Sequence, residues 1–358
     1  CSAPCRREKS QGSSHSPTSE TPSPMRSLKS KDAEAIEPAQ ASPAPFDAPD
    51  ERPQNPFRKR ASSPEDLLVS AGIEPDIRLS RANRRLNALS IGIPLIGAIS
   101  AIALTPFLAP TAATWGVFAI FFLINSLGAG VGLHRYFTHR AFEAHPAIVA
   151  MLGVLGTWAM QGPIARWVAD HRRHHRFSDS QFDPHSPYWD DDAPIENRYR
   201  GWAHAHFLWM LTGKRSSETR YARDILSSPI AGFLNRFYWP VALSGLAAPA
   251  AAGFWVGGGE EALLCFLWAG CARVALLHQL TWSVNSFGHM FGSKQPGSKD
   301  QSRDSAVLAL LMLGEGLHSY HHARPTAAIN RPLKLDFGGL VILTLQRLGL
   351  VSDVKRFD

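Results

Sequence analysis

The chain has 358 residues and a formal net charge of +7, and hydrophobic residues make up 45% of it. This length allows one large domain or two small ones. The four cysteines form no CxxC motif, which excludes a small protein built on a disulfide framework. Basic residues crowd beside long apolar runs, so they indicate orientation in a membrane rather than nucleic-acid binding.

Residues 1–80 differ in composition from the rest of the chain. They are rich in Ser, Pro, Ala and charged residues, and they have no apolar periodicity. Such a segment cannot bury enough apolar surface to offset the entropy lost on ordering. We therefore predict that residues 1–80 are disordered.

Four apolar runs are long enough to cross a membrane. The stretch from Leu86 to Leu133 contains no charged residue, and Pro106 and Pro110 suit a break near its middle. A membrane-spanning helix needs about 20 apolar residues, so this stretch can hold two. Two later runs complete a prediction of an all-α integral membrane protein with four transmembrane helices, at about 86–108, 112–133, 237–256 and 262–285.

A further apolar run, at about 147–165, is interpreted as an interfacial helix. It is short and contains Gly153, Gly162 and Pro163, which do not favour a continuous span. A fifth crossing is the alternative. It would place His134 and His171 on opposite sides of the membrane.

The charges beside the runs predict their orientation. Arg84 and Arg85 precede the first predicted span and Lys214 precedes the third, whereas the connection between the last two carries Glu260 and Glu261. The positive-inside rule then places both termini and the long polar segments in the cytoplasm.

Histidines cluster beside these apolar runs. The chain reads HRYFTH from His134, HRRHH from His171 and HSYHH from His318, and His289 lies four residues after Asn285. Neutral imidazole is a good ligand for iron, copper, nickel or zinc. The candidate ligands are His134, His139, His171, His174, His175, His289, His318, His321 and His322.

These nine imidazoles are too many for one ion and suit two ions with four or five nitrogens each. In the second and third clusters, the i, i+3, i+4 spacing places each set on one face of a helix. Nitrogen-rich sites with open positions favour iron for oxygen chemistry over zinc or copper. Asn285, one turn before His289, is a candidate to hold a metal-bound water.

The remaining histidines have other interpretations. The isolated ones are interpreted as non-ligands: His15, His145 and His278. Three others are candidates to orient the metal ligands through hydrogen bonds without binding the metal themselves: His185, His204 and His206.

Longer strings accompany the histidines: GLHRYFTH (132–139), WVADHRRHHRFS (167–178), DPH (183–185), WSVNSFGH (282–289) and GEGLHSYHH (314–322). Their order and spacing over about residues 85 to 325 resemble the membrane fatty acyl desaturases, especially the acyl-CoA Δ9 (stearoyl-CoA) type. The resemblance implies a membrane domain over residues 81–330 with a cytoplasmic helical cap that holds a di-iron site. Residues 331–358 would form a cytoplasmic tail of that domain.

The resemblance also implies roles for individual residues. The nine histidines would bind two irons, and Asn285 would reach one iron through a water. By motif position, the substrate would contact Gln161, Trp167, Thr281 and Trp282, with Asp170 near the thioester end. The family has Arg where this chain has Ala169, so a lipid-linked or carrier-linked acyl donor stays open beside acyl-CoA.

The implied reaction inserts a cis double bond, at Δ9, into a saturated C16–C18 acyl-CoA with O2 and two electrons. An unactivated methylene has no acidic proton, so a general base alone cannot remove its hydrogen, whereas a di-iron centre with O2 can. The sequence has no HPGG motif of a cytochrome b5, no GxGxxG and no ferredoxin cysteines. A separate cytochrome b5 or ferredoxin/reductase system is therefore the expected electron donor.

Two other functions compete with desaturation. A membrane di-iron hydroxylase or alkane monooxygenase shares the histidine pattern but traps the substrate radical with oxygen. A non-catalytic metal transporter predicts ionisable residues near mid-membrane, where the predicted spans hold only Arg273 and His278.

Overall fold

The computed structural model describes residues 63–191 and 193–357, which are mainly helical. In chain order the helices are α1 (Pro64–Ser70), α2 (Ile77–Leu104), α3 (Ala112–Leu127), α4 (Pro146–Thr157), α5 (Ile164–Phe177), α6 (Arg198–Ala203), α7 (Trp209–Leu211), α8 (Glu218–Tyr221), α9 (Arg223–Leu226), α10 (Pro229–Arg236), α11 (Tyr238–Cys265), α12 (Arg273–Met290), α13 (Ala306–Leu311), α14 (His318–Ala323) and α15 (Phe337–Arg347). π-Helical segments cover Gly128–Thr138, His204–Leu208 and Phe266–Ala272, and a 3-10 turn covers Leu333–Leu335. Four short strands form two antiparallel pairs, β1 (Glu143–Ala144) with β4 (Val351–Ser352) and β2 (Trp189–Asp190) with β3 (Ala193–Pro194).

Among the described residues, three helical runs are long and apolar enough to cross a membrane, judged by length and composition. They are α2, the run Ala112–Thr138 formed by α3 and its π-helical extension, and the 53-residue run Tyr238–Met290. The first begins nine residues before the predicted start at 86, because Asp76 caps it by accepting a hydrogen bond from the Arg78 backbone N–H at 2.7 Å. Such runs are typical of a helical integral membrane protein.

The third run is not a single rod. Gly257 and Gly258 have non-helical backbone angles, and Gly258 has a φ of 76° that suits glycine. On either side of them the two halves pack on each other, since the guanidinium of Arg273 donates to the Gly245 carbonyl at 2.9 Å. The chain therefore reverses at this glycine pair, near the connection predicted between the last two spans.

The same end of the molecule carries the connection between α2 and α3. Thr111 and Thr114 form a capping box at the start of α3. Their hydroxyls donate to the two carboxylate oxygens of Glu261 at 2.9 and 2.6 Å. The histidine motifs lie at the opposite end of these helical runs, near Thr138 and Met290, where the second and third runs end. The number of membrane crossings stays a prediction.

The first correction concerns the amino-terminal segment. The prediction of disorder is wrong for residues 63–80, which form α1 and the first turn of α2. Ala71 and Ile73 are buried with Phe182, and the Tyr221 hydroxyl donates to the Ala71 carbonyl at 2.6 Å. The apolar residues near position 70 are therefore ordered, because Phe182 and Tyr221, which are distant in the sequence, bury them. Residues 1–62 lie outside the described residues.

The second correction concerns the interfacial helix predicted at 147–165. Helix α4 ends at Thr157, and α5 begins at Ile164. The residues between turn sharply, with positive φ at Met160 and Gly162. The 12 residues of α4 reach only about 18 Å, which is short of the roughly 30 Å hydrocarbon core.

The carboxy-terminal segment packs closely on the first histidine motif. Strand β4 pairs with β1, just after His139, and the Lys355 backbone N–H donates to the Ala141 carbonyl at 3.0 Å. Ile342 on α15 is fully buried. Residues 331–357 are therefore an integral part of the packed domain.

We expect Gly97→Ala to lower the free energy of unfolding by about 1–3 kcal/mol, as overpacking does elsewhere. A Cβ at Gly97 would lie 2.3 Å from the Cβ of Cys271, so α2 would have to move away from the Phe266–Ala272 segment. Thermal unfolding of the detergent-solubilised protein measures the change. Gly92→Ala on the same helix is the control, because nothing lies within 4 Å of its new Cβ. Equal shifts for the two variants would contradict the close approach.

Candidate metal centre

The nine predicted histidines come together from four parts of the chain. They lie at the end of the Gly128–Thr138 segment, on α5, at the end of α12 and on α14. Their ligand atoms form two groups, in each of which every atom lies within 4.8 Å of the others. The first group is His134, His139, His171, His175 and His321, and the second is His174, His289, His318 and His322.

Each HxxHH motif is divided between the two groups. His171 and His175 join the five-histidine group, whereas His174 joins the four-histidine group. On α14 the division is reversed, since His318 and His322 join the four-histidine group and His321 the other. Residues four apart on a helix lie one turn above each other, so each such pair can serve one ion. The residue between them points to the neighbouring group.

The distances between facing nitrogens suit metal ligation. In the five-histidine group, His321 Nε2 lies 3.0 Å from His134 Nε2 and 2.9 Å from His175 Nε2. In the other group, His289 and His318 bring their Nε2 atoms to 2.8 Å. Two nitrogens bound to one ion at about 2.1 Å and about 90° apart lie about 3.0 Å from each other. The arrangement therefore fits two metal ions.

One buried nitrogen also needs a partner. Nε2 of His139 is inaccessible to solvent and has no hydrogen-bond partner among the described residues. A buried polar atom without a partner carries a cost of about 1–3 kcal/mol. A metal ion in the five-histidine group would satisfy it.

Carboxylates hold four of the rings from behind. In each ring Nε2 faces a histidine group, and Nδ1–H on the other side donates to a carboxylate. His174 donates to Asp183 at 3.0 Å, His289 to Asp179 at 2.8 Å and His322 to Asp300 at 2.6 Å. Glu315 is the corresponding partner of His134. Such hydrogen bonds fix the tautomer and the orientation of a ligating ring and increase its basicity.

Burial favours the neutral form of several of these imidazoles. Desolvation, and then repulsion by neighbouring histidines, lowers the pKa of His171, His174 and His175 well below the usual value. A neutral ring keeps a lone pair free for a cation. Burial and the neighbouring Asp179 raise the pKa of Asp183 to about 8, and a cation bound at His174 would favour its charged form.

The opposite shift occurs at Asp300. Burial alone would raise the pKa of this carboxyl, but the hydrogen bond that it accepts from His322 lowers it well below the usual range. The carboxylates behind the histidines therefore differ in their ease of protonation.

The predicted substrate residues line one cavity beside the metal groups. This cavity lies between α2, α5 and α12, and the lining includes Gln161, Trp167, Asp170, Thr281, Trp282 and Asn285. The indole N–H of Trp167 donates to Gln161 Oε1 at 3.1 Å, and Gln161 Nε2 donates to Thr281 Oγ1 at 3.0 Å. This chain of hydrogen bonds fixes the indole at the wall.

A second cavity continues past the same wall. It shares Trp167, His171, Thr281 and Asn285 with the first cavity. It also reaches His134 of the five-histidine group and His318 of the four-histidine group. An extended ligand in the two cavities would pass both histidine groups.

Asp170 lines the first cavity with both carboxylate oxygens already paired. Arg166 Nε donates to one oxygen at 2.9 Å, and the Ser216 hydroxyl donates to the other at 2.6 Å. Its neighbour Ala169 is fully buried in a hydrophobic cluster with Val168 and Leu133. The position where the family has Arg thus faces the protein core.

The other histidines divide as follows. The ring of His185 is tilted against that of His174, with centroids 4.2 Å apart, and His185 forms a possible ligand group with His174 and Asp183. His204 and His206 contact Ser186 and Ser286 instead of the nine histidines. His145 caps α4 and His278 bonds the Ala159 carbonyl, and His15 lies outside the described residues.

Sequence reasoning missed the carboxylates and one arginine. Asp179, Asp183 and Glu315 lie within eight residues of a histidine motif, so a search for acidic residues near ligands would have found them. Asp300 carries no such local signal. Arg135 was also overlooked, although it directly follows His134 in the sequence. It is almost fully buried and donates a hydrogen bond to Glu315.

We expect His321→Ala and His318→Ala each to lower the metal content from about two ions to about one per chain, because each removes a ligand from a different group. Elemental analysis of purified protein measures this content. The control is His145→Ala, which removes an exposed histidine outside both groups. Loss of both ions from either variant would show that the groups are not independent.

Comparisons with known proteins agree with this geometry. The Fatty acid desaturase family model matches residues 79–332. The hex-5-enoyl-[acyl-carrier protein] acetylenase of Moorena producens (strain JHB) is 36% identical over 271 residues, 74% of this chain and 83% of that protein.

Two human proteins are also similar. Human stearoyl-CoA desaturase 5 is 28% identical over 278 residues, covering 75% of this chain and 80% of that protein. Human stearoyl-CoA desaturase is 28% identical over 277 residues, covering 75% and 74%. The chain belongs to the fatty acid desaturase family and is a membrane oxidoreductase.

Proposed function

We propose that this protein inserts a cis double bond, at Δ9, into a saturated C16–C18 acyl-CoA with O2 and two electrons. The observation that carries the proposal is the position of two histidine groups along one wall of paired cavities. The reacting carbons of an acyl chain would lie beside both groups.

The proposed cofactor is a pair of iron ions held by the nine histidines, with Asn285 reaching one ion through a water. Five and four nitrogens leave positions open for oxygen and water, and nitrogen-rich open sites suit iron. When bound, the two irons would supply the reductive activation of O2 that cleavage of an unactivated C–H bond requires.

The cavity residues would shape and shield the substrate. The Trp167–Gln161–Thr281 hydrogen bonds fix one part of the cavity lining. Trp282, 6% exposed, also lines the cavity and stacks on His278 with ring centroids 5.0 Å apart. Rigid aromatic walls fix a bound chain at little entropic cost, and a near-attack geometry lowers the barrier. Asp170 would lie toward the thioester end.

We also propose four membrane crossings, with both termini and the metal centre on the cytoplasmic side. The reversal at Gly258 and the Thr111–Glu261 contact at the end opposite the histidines support this. The electrons would come from a separate donor, a cytochrome b5 or a ferredoxin/reductase system.

An acyl-carrier-protein thioester is the second candidate substrate. The relative from Moorena producens, whose name specifies a carrier-protein substrate, is 36% identical to this chain, and Ala169 replaces the arginine of the acyl-CoA type. Assays of the purified protein with the same acyl chain on each carrier decide between the two.

We predict that expression in a desaturase-deficient host produces cis-Δ9 C16:1 or C18:1 fatty acids, because the saturated chain would bend beside the two metals. Mass spectrometry with double-bond derivatisation measures product and position. His174→Ala is the inactive control, since it removes one ligand. An alcohol as the product would favour the hydroxylase, and metal uptake without any lipid product would favour the transporter.

We expect Trp282→Ala to lower the rate or broaden the double-bond position while metal content stays the same, because it removes a wall of the cavity and no ligand. Positional analysis of the products and elemental analysis measure the two effects. The matched control is Trp255→Ala, whose side chain is 88% exposed on α11. Unchanged rate and regiochemistry in Trp282→Ala would refute its place at the bend.

A further inference from the structure

The carboxy-terminal segment contributes one fully buried carboxylate, that of Asp336. It lies outside residues 79–332, the part of the chain that the family model matches, and caps α15 by accepting from the Gly339 backbone N–H. Its two oxygens accept hydrogen bonds from Arg135, Oδ1 from Nη2 at 2.7 Å and Oδ2 from Nη1 at 3.0 Å. This bidentate pair joins α15 to the first histidine motif.

Arg135 connects Asp336 to a metal-facing ring. Its Nε and Nη2 donate to Oε1 of Glu315 at 3.0 and 2.8 Å. The other oxygen of Glu315 accepts from Nδ1 of His134, whose Nε2 lies 3.0 Å from His321 Nε2. A continuous line of charge-assisted hydrogen bonds thus runs from Asp336 to the five-histidine group.

Asp336 cannot be replaced by its neutral isostere without loss. Besides Arg135, Oδ1 accepts from the Gly339 N–H at 2.9 Å and Oδ2 from the Asn330 N–H at 2.6 Å. Both oxygens face only donors, so the NH2 group of an asparagine would face N–H groups on either side. The surroundings are also tight, since a Cβ at Gly339 would lie 2.3 Å from Oδ2.

We propose that Asp336 is a positioning residue for the five-histidine group, acting through Arg135 and Glu315 on His134. The inference rests on the proposed two-metal centre. Without Asp336, Arg135 keeps one of its two carboxylate partners, and the Glu315 carboxylate is free to follow it away from His134. The four-histidine group takes its carboxylates from Asp179, Asp183 and Asp300, so it does not depend on this line.

The test is the metal content of full-length Asp336→Asn, loaded with Fe(II) without oxygen and challenged with a chelator. We expect the wild type to keep two irons and the variant about one, with affinity of the weakened site lowered about 10–100-fold. Anomalous diffraction at the iron edge assigns the remaining ion to the four-histidine group. Glu315→Gln should show the same selective loss, and Asp300→Asn should show the reverse.

The controls separate positioning from general destabilisation. Asp353→Asn makes the same change at an exposed residue of the same segment and should keep both irons. If Asp336→Asn does not fold, Gly339→Ala is the second variant, because its new Cβ displaces the Asp336 carboxylate. It should lower iron retention at the five-histidine group alone. Gly232→Ala is its control, because nothing lies within 4 Å of the new Cβ. Two irons retained like wild type, or equal loss from both groups, would overturn the inference. A wild type that binds no iron at these histidines would instead overturn the proposed function.

Discussion

The structure depends on holding nine clustered imidazoles with their ring nitrogens facing one another. Burial lowers the pKa of His139 well below its usual value, and its Nε2 has no hydrogen-bond partner among the described residues. Left free, such rings would turn to better partners, so their orientation has to be fixed from behind. Asp179, Asp183 and Asp300 do this by accepting from the opposite nitrogen.

The carboxylates in turn need compensating charge. Arg135, 2% exposed, lies between Glu315 and Asp336, so one cation serves two buried anions. A buried ion pair of this kind adds little net stability, because desolvation offsets much of the Coulomb attraction. Its directional hydrogen bonds still restrict position strongly. The Arg135 network is therefore better suited to fixing the geometry of His134 than to stabilising the fold.

The helices that carry the ligands also build the substrate wall. Trp167 lies one turn before His171 on α5, and Thr281 and Trp282 lie on α12 before His289. A side chain proposed to contact the acyl chain is thus on the same helix as one proposed to bind a metal. Arg273 supports α12 within the helical bundle by bonding the Ala269 and Gly245 carbonyls and Asn125. Arg273 and His278 are the ionisable residues within the predicted spans on which the transporter alternative depends. Both have structural partners, Gly245 for Arg273 and Ala159 for His278.

The sequence alone determined the helical membrane class and the histidine clusters, because these depend on apolar length and on local spacing, whereas the cavity residues were predicted from the resemblance to the desaturases. It missed helix α1, the early end of α4 and the packing of the last 27 described residues, since each depends on contacts with distant segments. Spacing placed His171, His174 and His175 on one face, but only the tertiary structure divided them between two groups. Only the tertiary structure also decided which carboxylate pairs with which ring. Asp300 and Asp336 are distant in sequence from the residues that they contact, and folding brings them to the histidine groups.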